Sequence, residues 1–334
     1  MLPYLLLLVL LLVIIGAIGL YLIRKTPFGT LDPKVAIALK LMPERKEGIS
    51  VTEQRAQMRK MVDKYKKDIP LLRVENQTIS IANQSIPIRI YSNSKEENLP
   101  ILIYYHGGGW VVGDLETHDG ICRLLAKSAK VLVVSVAYRL APEHPYPIPL
   151  EDSYNALLWM AENGQTIGGN PQKIAVSGDS AGGNLAAAVA LKARDENGPK
   201  ISYQALIYPV TDLSKLTTTS YENFREGFFL TRDMMAQYID YYVPVANRKE
   251  GYVSPLLVEN LLNLPPALVI TAGFDPLRDE GEQYGERLKA AGIPTTITRY
   301  KGTIHGFFGL EALGKAGVVA IEEVGNQLTA VFNN

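Results

Sequence analysis

The 334-residue chain carries a single cysteine, Cys122. A lone thiol excludes an internal disulfide framework, a multi-cysteine zinc site and an iron–sulfur cluster. Net charge is missing too: 34 Lys and Arg balance 34 Asp and Glu, a formal charge of +0. No global field draws the protein toward a polyanion, so no nucleic-acid partner is expected. Histidine is scarce, at four, which shortens any search for a catalytic base. There is no internal repeat or low-complexity tract. Hydrophobic residues at 47% against 20% charged are ordinary globular usage, so the chain is not disordered, and its length allows one large domain or two ordinary ones.

Charge is absent altogether from Leu2 to Ile23, LPYLLLLVLLLVIIGAIGLYLI. An apolar run of about 20 residues is what a helix needs to cross ~30 Å of hydrocarbon, so residues 2–23 are expected to form a single transmembrane anchor. Tyr4 and Tyr21 sit near its ends, where amphipathic rings favour the headgroup layer, and Arg24 with Lys25 closes it. A cleaved signal peptide is the competing reading. It needs a charged leading segment and an apolar core of only ~7 to 15 residues, and neither is present. Positive charge after the run places the bulk of the chain in the cytoplasm by the positive-inside rule. A lumenal or periplasmic placement is the alternative, with weak support from the sequons Asn76-Gln77-Thr78 and Asn83-Gln84-Ser85.

Between Arg24 and Lys67 basic residues outnumber acids by roughly two to one, as anionic headgroups or a solvated helix face would both accommodate. Ser50 and Glu53 form a capping box, and Met58, Met61, Val62 and Tyr65 share a helical face. This helix is expected to pack over the main domain or rest on the bilayer. After Pro70 short apolar strands alternate with helical patterns. Strands are expected at 79–81, 86–91, 101–105, 131–137, 173–177, 205–208, 267–272 and 296–300. Helices are expected at 120–128, 151–163, 181–194 and 280–291. Such alternation predicts an α/β fold, a mostly parallel sheet covered by helices on both faces, with the opening strands pairing antiparallel. Residues 211–252 break the rhythm with aromatic and methionine-containing helices and read as an insertion.

Gly178-Asp179-Ser180-Ala181-Gly182 matches G-x-S-x-G, with the strand KIAVS before it and an alanine-rich helix after. A serine on such a strand-to-helix turn projects its hydroxyl outward, and flanking glycines avoid β-carbon clashes. His106-Gly107-Gly108-Gly109-Trp110 follows the apolar strand ILIYY. Two bare N–H groups of that loop, with the Ala181 N–H, would hold the oxygen of a tetrahedral acyl intermediate. A phosphate cradle would require a Lys-Ser or Lys-Thr after the glycines, and none follows.

The serine needs a base. His106 lies in the glycine loop, His118 in a polar turn and His144 in APEHPYPIP, which leaves His305, just after the last strand. Asp275 follows the strand ALVITA and can fix the imidazole tautomer, with Asp279 as the rival acid. The order Ser180, Asp275, His305 is that of α/β-hydrolases and unlike that of chymotrypsin or subtilisin.

Together HGGGW, YRLAPEHPYP, GDSAGGN, SPL at 254–256, DPLRDEG and IHGF resemble the hormone-sensitive-lipase-like group of α/β-hydrolases, which includes microbial carboxylesterases and arylacetamide deacetylases. The similarity runs from about Pro70 to Phe308. It implies an α/β-hydrolase fold over residues 71–334, an oxyanion hole of Gly107, Gly108 and Ala181, Ser180 as nucleophile, Asp275 as orienting acid, and His305 as base and then acid. It further implies a helical cap from residues 26–70 and 211–252. The N-terminal helix departs from the soluble microbial members and is similar in placement to that of the arylacetamide deacetylases.

The expected reaction is hydrolysis of short-to-medium acyl or aryl esters through an acyl-serine, with no cofactor and no metal. Trp110, Phe228 and Phe229 are candidate substrate contacts, and cap-to-core packing is the competing role for the two phenylalanines. Amide or acetyl-group hydrolysis, or lipase action, would use the same groups. A ligand receptor without turnover would be expected to have lost a triad member, whereas all three stand here. No feature of the sequence specifies an oligomer.

Overall fold

The computed structural model describes residues 2–42, 48–81 and 84–333. Eight strands form one sheet: β1 (Arg73–Ile81), β2 (Gln84–Ser92), β3 (Leu99–Tyr105), β4 (Leu132–Val136), β5 (Gly169–Asp179), β6 (Tyr203–Ile207), β7 (Ala267–Phe274) and β8 (Thr295–Ile304). Their spatial order is β8-β7-β6-β5-β3-β4-β2-β1. From β4 to β8 every pairing is parallel, while β1 pairs antiparallel with β2, and β2 with β4. This is the mostly parallel sheet with an antiparallel opening that the sequence pattern predicts.

Alternate residues of each central strand enter opposite layers, because the pleat has a period of two. Ile101, Ile103 and Tyr105 of β3 join one core cluster, and Leu102 and Tyr104 the other. The first layer is completed by α5 (Ile148–Asn163) and α6 (Ala181–Asp195), the second by α4 (Asp119–Ser128) and α10 (Ala316–Asn333). Buried on both faces, these strands read as unbroken apolar runs. β1 differs. As an edge strand with residues 75–78 exposed it has a polar start that hides it from pattern reading, so it begins at Arg73 rather than at residue 79.

The remaining helices are α1 (Leu2–Arg24), α2 (Pro33–Leu41), α3 (Val51–Tyr65), α7 (Thr219–Asn223), α8 (Arg232–Tyr242) and α9 (Arg278–Ala290). α1 is long and apolar enough to cross a membrane. It ends in a tight hairpin, with Leu31 N–H bonded to the Arg24 carbonyl at 2.9 Å and Arg24 Nε to the Leu31 carbonyl at 2.8 Å. The expected capping box opens α3. That helix packs on the main domain: Arg55 donates to the carbonyls of Val111 and Ala141 and pairs with Glu143, while Arg59 pairs with Asp114. Its apolar stripe is only partly used, since Met58 docks on the core while Met61 and Tyr65 stay exposed. Of the two sequons, Asn76 accepts from Arg89 Nε on the neighbouring strand, and Asn83 lies outside the described residues.

Candidate active site

β5 delivers Ser180 at its C-terminal end, and α6 starts at the next residue. Ser180 has φ +57° and ψ −120°, a conformation that costs a non-glycine residue on the order of 1–3 kcal/mol and that aims the side chain off the turn. The flanking glycines make the turn possible. A β-carbon on Gly178 would lie 2.3 Å from the Gly182 carbonyl oxygen, and one on Gly182 would lie 1.9 Å from that of Tyr105.

β7 ends at Phe274, so Asp275 begins the next loop, and His305 follows the last residue of β8. Three residues far apart in sequence thereby meet. His305 Nδ1 is 2.7 Å from Asp275 Oδ2, and Nε2 is 3.0 Å from Ser180 Oγ. Asp275 is fully buried, and its other oxygen accepts the Leu277 N–H at 2.9 Å, which fixes the carboxylate plane. The Tyr208 ring lies 4.5 Å from the imidazole and limits its rotation. Ser180 and His305 are each 6% exposed, so both side chains are almost fully covered. The rival Asp279 points elsewhere: it accepts the Ser220 N–H and pairs with Arg278.

The glycine loop corrects one expectation. Gly107 cannot serve the oxyanion, because its N–H already donates to Asp179 Oδ1 at 2.9 Å. The N–H groups of Gly108, Gly109 and Ala181 find no acceptor among the described residues. Gly108 has φ +121° and Gly109 φ +61°, backbone that glycine adopts without strain. The available donors are therefore Gly108, Gly109 and Ala181, one residue further along the loop than expected.

Asp179 is the residue that sequence reasoning missed. Its carboxylate also accepts the Tyr104 hydroxyl at 2.7 Å and lies 3.4 Å from His118 Nε2. Burial pushes this carboxyl up, but His118, Tyr104 and the Gly107 N–H outweigh it and hold it below the usual range. One buried anion thus ties the nucleophile turn to the oxyanion loop. The only advance signal was its place beside Ser180 in the pentapeptide.

Trp110 is a second correction. It is fully buried, its ring stacked on Tyr242 at 4.3 Å, so it supports the loop from behind rather than lining a pocket. Phe228 stacks on Phe274 at 5.4 Å and meets Phe224 edge-on at 5.3 Å, so core packing claims most of it. Phe229 approaches the catalytic loop: a β-carbon on Gly306 would lie 3.2 Å from its ring.

His106 is buried with its ring stacked on Tyr138 at 4.3 Å. Burial, and then His118, pushes its pKa down to about 4, although Asp179 and Asp114 pull the other way. An unfolded chain would protonate this histidine near the ordinary value of about 6.5. Between the two values the unfolded state binds the extra proton, so stability rises with pH across that window. The contribution is complete above about pH 6.5 and lost as pH falls toward 4, a difference of roughly 3 kcal/mol. Urea midpoints at pH 7 and pH 5 should show the loss, and His106→Asn should flatten it.

Residues 102–309 match the family described as alpha/beta hydrolase fold. Over 310 residues the chain is 38% identical to the carboxylesterase NlhH of Mycobacterium tuberculosis, covering 90% of this chain and 95% of that protein. It is 41% identical to an arylesterase of Saccharolobus solfataricus, covering 72% and 78%. A crystal structure of a thermostable esterase from Pseudomonas putida superposes with a TM-score of 0.88 at 36% identity, covering 92% of this chain and 98% of that one. Fold, strand order, motif order and relatives agree: the chain belongs to the α/β-hydrolase family, in its hormone-sensitive-lipase-like branch of carboxylesterases.

Proposed function

We propose that the protein is a serine carboxylesterase that hydrolyses short-to-medium acyl or aryl esters through an acyl-serine. The observation that carries this reading is the Ser180–His305–Asp275 chain of 3.0 Å and 2.7 Å contacts beside three unoccupied backbone N–H groups. Ser180 Oγ attacks the ester carbonyl as His305 Nε2 takes its proton. The carbonyl oxygen becomes an anion held by the N–H groups of Gly108, Gly109 and Ala181. Collapse breaks the bond to the alkoxide, which leaves with the proton from His305. Water, deprotonated by the same nitrogen, then cleaves the acyl-serine and releases the acid. Asp275 accepts the hydrogen bond from Nδ1–H throughout and stabilises the imidazolium. The three relatives cited above all carry esterase names.

Residues 26–70 and 211–252 act as a cap in this reading. α8 supports it, since a β-carbon on Gly109 would strike the Tyr238 ring at 2.3 Å, and Phe229 beside Gly306 supports it from the other side. α1 anchors the enzyme in a membrane, and Arg24 and Lys25 at its end favour a cytoplasmic catalytic domain.

The full chain in detergent, given p-nitrophenyl esters from acetate to dodecanoate and the matching anilides, tests the activity. Turnover should peak between acetate and octanoate, with the anilides slower by about 100-fold or more, because the amine leaving group must be protonated as it departs. Faster cleavage of the anilides would make the protein an amidase, and a peak at dodecanoate would make it a lipase-like enzyme.

A further inference from the structure

The foot of α1, the hairpin after it and α2 pack against the two loops that carry Asp275 and His305. Leu31, Val35 and Ala36 share a buried cluster with Phe224, Phe274 and Ile304, and Ile23 packs onto it. Phe274 and Ile304 immediately precede Asp275 and His305. The Asp32 N–H donates to the Gly302 carbonyl at 2.8 Å, and the Phe28 ring meets Phe224 edge-on at 5.3 Å. α1 therefore emerges at the end of the sheet where Asp275 and His305 follow their strands.

α2 has a second apolar face that nothing covers among the described residues. Val35 and Ala36 turn inward, while Ile37 and Leu41, four residues apart on one helical face, are exposed, Leu41 at 79%. Met42, just after α2, and Phe28 in the hairpin are partly exposed as well, at 38% and 46%. From Arg24 to Met42 the cations Arg24, Lys25, Lys34 and Lys40 face one acid, Asp32, whose side chain is engaged with the Lys34 N–H at the start of α2. Apolar side chains interleaved with lysines, starting where a membrane span ends, suit an interfacial helix under anionic headgroups. α2 is only about 14 Å long at 1.5 Å per residue, so its exposed residues stay close to the plane where α1 leaves the bilayer.

We propose that α2 and the hairpin are a second membrane contact, which seats the cleft mouth on the lipid surface so that the enzyme takes esters dissolved in the bilayer. This rests on the reading of α1 as a membrane anchor, and the experiment separates the two. Nitroxide labels are placed on the full chain as Leu12→Cys, Ile37→Cys, Leu41→Cys and Leu262→Cys, in vesicles of phosphatidylcholine and phosphatidylglycerol. Native Cys122 is buried and leaves the labelling selective. Leu262 precedes β7, at the end of the sheet away from the cleft. Labels at 12, 37 and 41 should collide with oxygen more than with a water-soluble nickel chelate, and the label at 262 the reverse. A lipid-exposed label at 12 with nickel-accessible labels at 37 and 41 overturns the second contact and leaves the anchor standing. A nickel-accessible label at 12 overturns both. Spin–spin broadening at 37 and 41 makes a second copy of the chain the occupant and overturns the proposal.

Activity provides a second readout. The double variant Ile37→Glu/Leu41→Glu should hydrolyse vesicle-dissolved p-nitrophenyl decanoate about three- to ten-fold more slowly, while turnover of water-dissolved p-nitrophenyl acetate stays within about two-fold, because only membrane seating is lost. Equal effects on both esters overturn the proposal.

Discussion

Ser180→Ala should lower kcat on p-nitrophenyl acetate by about 10⁵- to 10⁶-fold, the scale seen when a triad enzyme loses its nucleophile and retains only binding and oxyanion stabilisation. The variant should stay folded. Alanine keeps the β-carbon and meets the same positive φ of +57° at no greater strain than serine. Only the hydroxyl hydrogen bond to His305 is removed, a loss of about 1 kcal/mol. A fluorophosphonate probe supplies the matching covalent test: Ser180 Oγ displaces fluoride from phosphorus and remains phosphonylated. The variant should take no label, since Cys122, the one thiol, is fully buried with its pKa pushed up by that burial. Label or turnover persisting in folded Ser180→Ala would remove Ser180 from the mechanism. A wild-type protein that never takes the label would favour a ligand-binding role.

The candidate triad is legible because each member is announced locally. The glycines around Ser180 stand in one pentapeptide, although the close approaches they answer come from the turn itself and from Tyr105 on the neighbouring strand. Asp275 follows the buried apolar strand β7 and His305 the edge strand β8, and the C-terminal ends of a parallel sheet gather such loops at one edge. With four histidines, elimination completes the set. The oxyanion register was not legible in this way. Which glycine N–H remains free is decided by Asp179, 72 residues away in sequence, and nothing in HGGGW marks that first N–H as already taken. The surroundings of Trp110 are hidden from the sequence for the same reason, since they come from Tyr242 at the end of α8. α10 escaped the strand–helix alternation because no strand follows it. The second face of α2 is visible in sequence only as Ile37, Leu41 and Met42. That these residues turn away from the core is a tertiary fact.

Asp275→Asn should cost about 10⁴-fold in kcat, with KM changed little, as happens when the orienting acid of a serine triad becomes an amide. The geometry gives the reason. Asp275 uses one oxygen for the Leu277 N–H and the other for His305 Nδ1. An asparagine would keep its carbonyl on the Leu277 donor and turn its NH₂ toward the imidazole. Facing a donor, Nδ1 must become the acceptor, which moves the ring proton to Nε2. There it points at Ser180 Oγ, and the nitrogen can no longer take the hydroxyl proton. The fold should persist, since the exchange preserves volume and the buried site keeps a hydrogen-bond partner on each side. Fluorophosphonate labelling should slow in parallel with kcat, because both depend on removing the same proton. Asp279→Asn is the comparison: that carboxylate serves Ser220 and Arg278, so its loss should reduce kcat by less than about ten-fold. If instead Asp279→Asn carries the 10⁴-fold penalty and Asp275→Asn is nearly neutral, the orienting role passes to Asp279, and the tautomer argument for Asp275 fails with it.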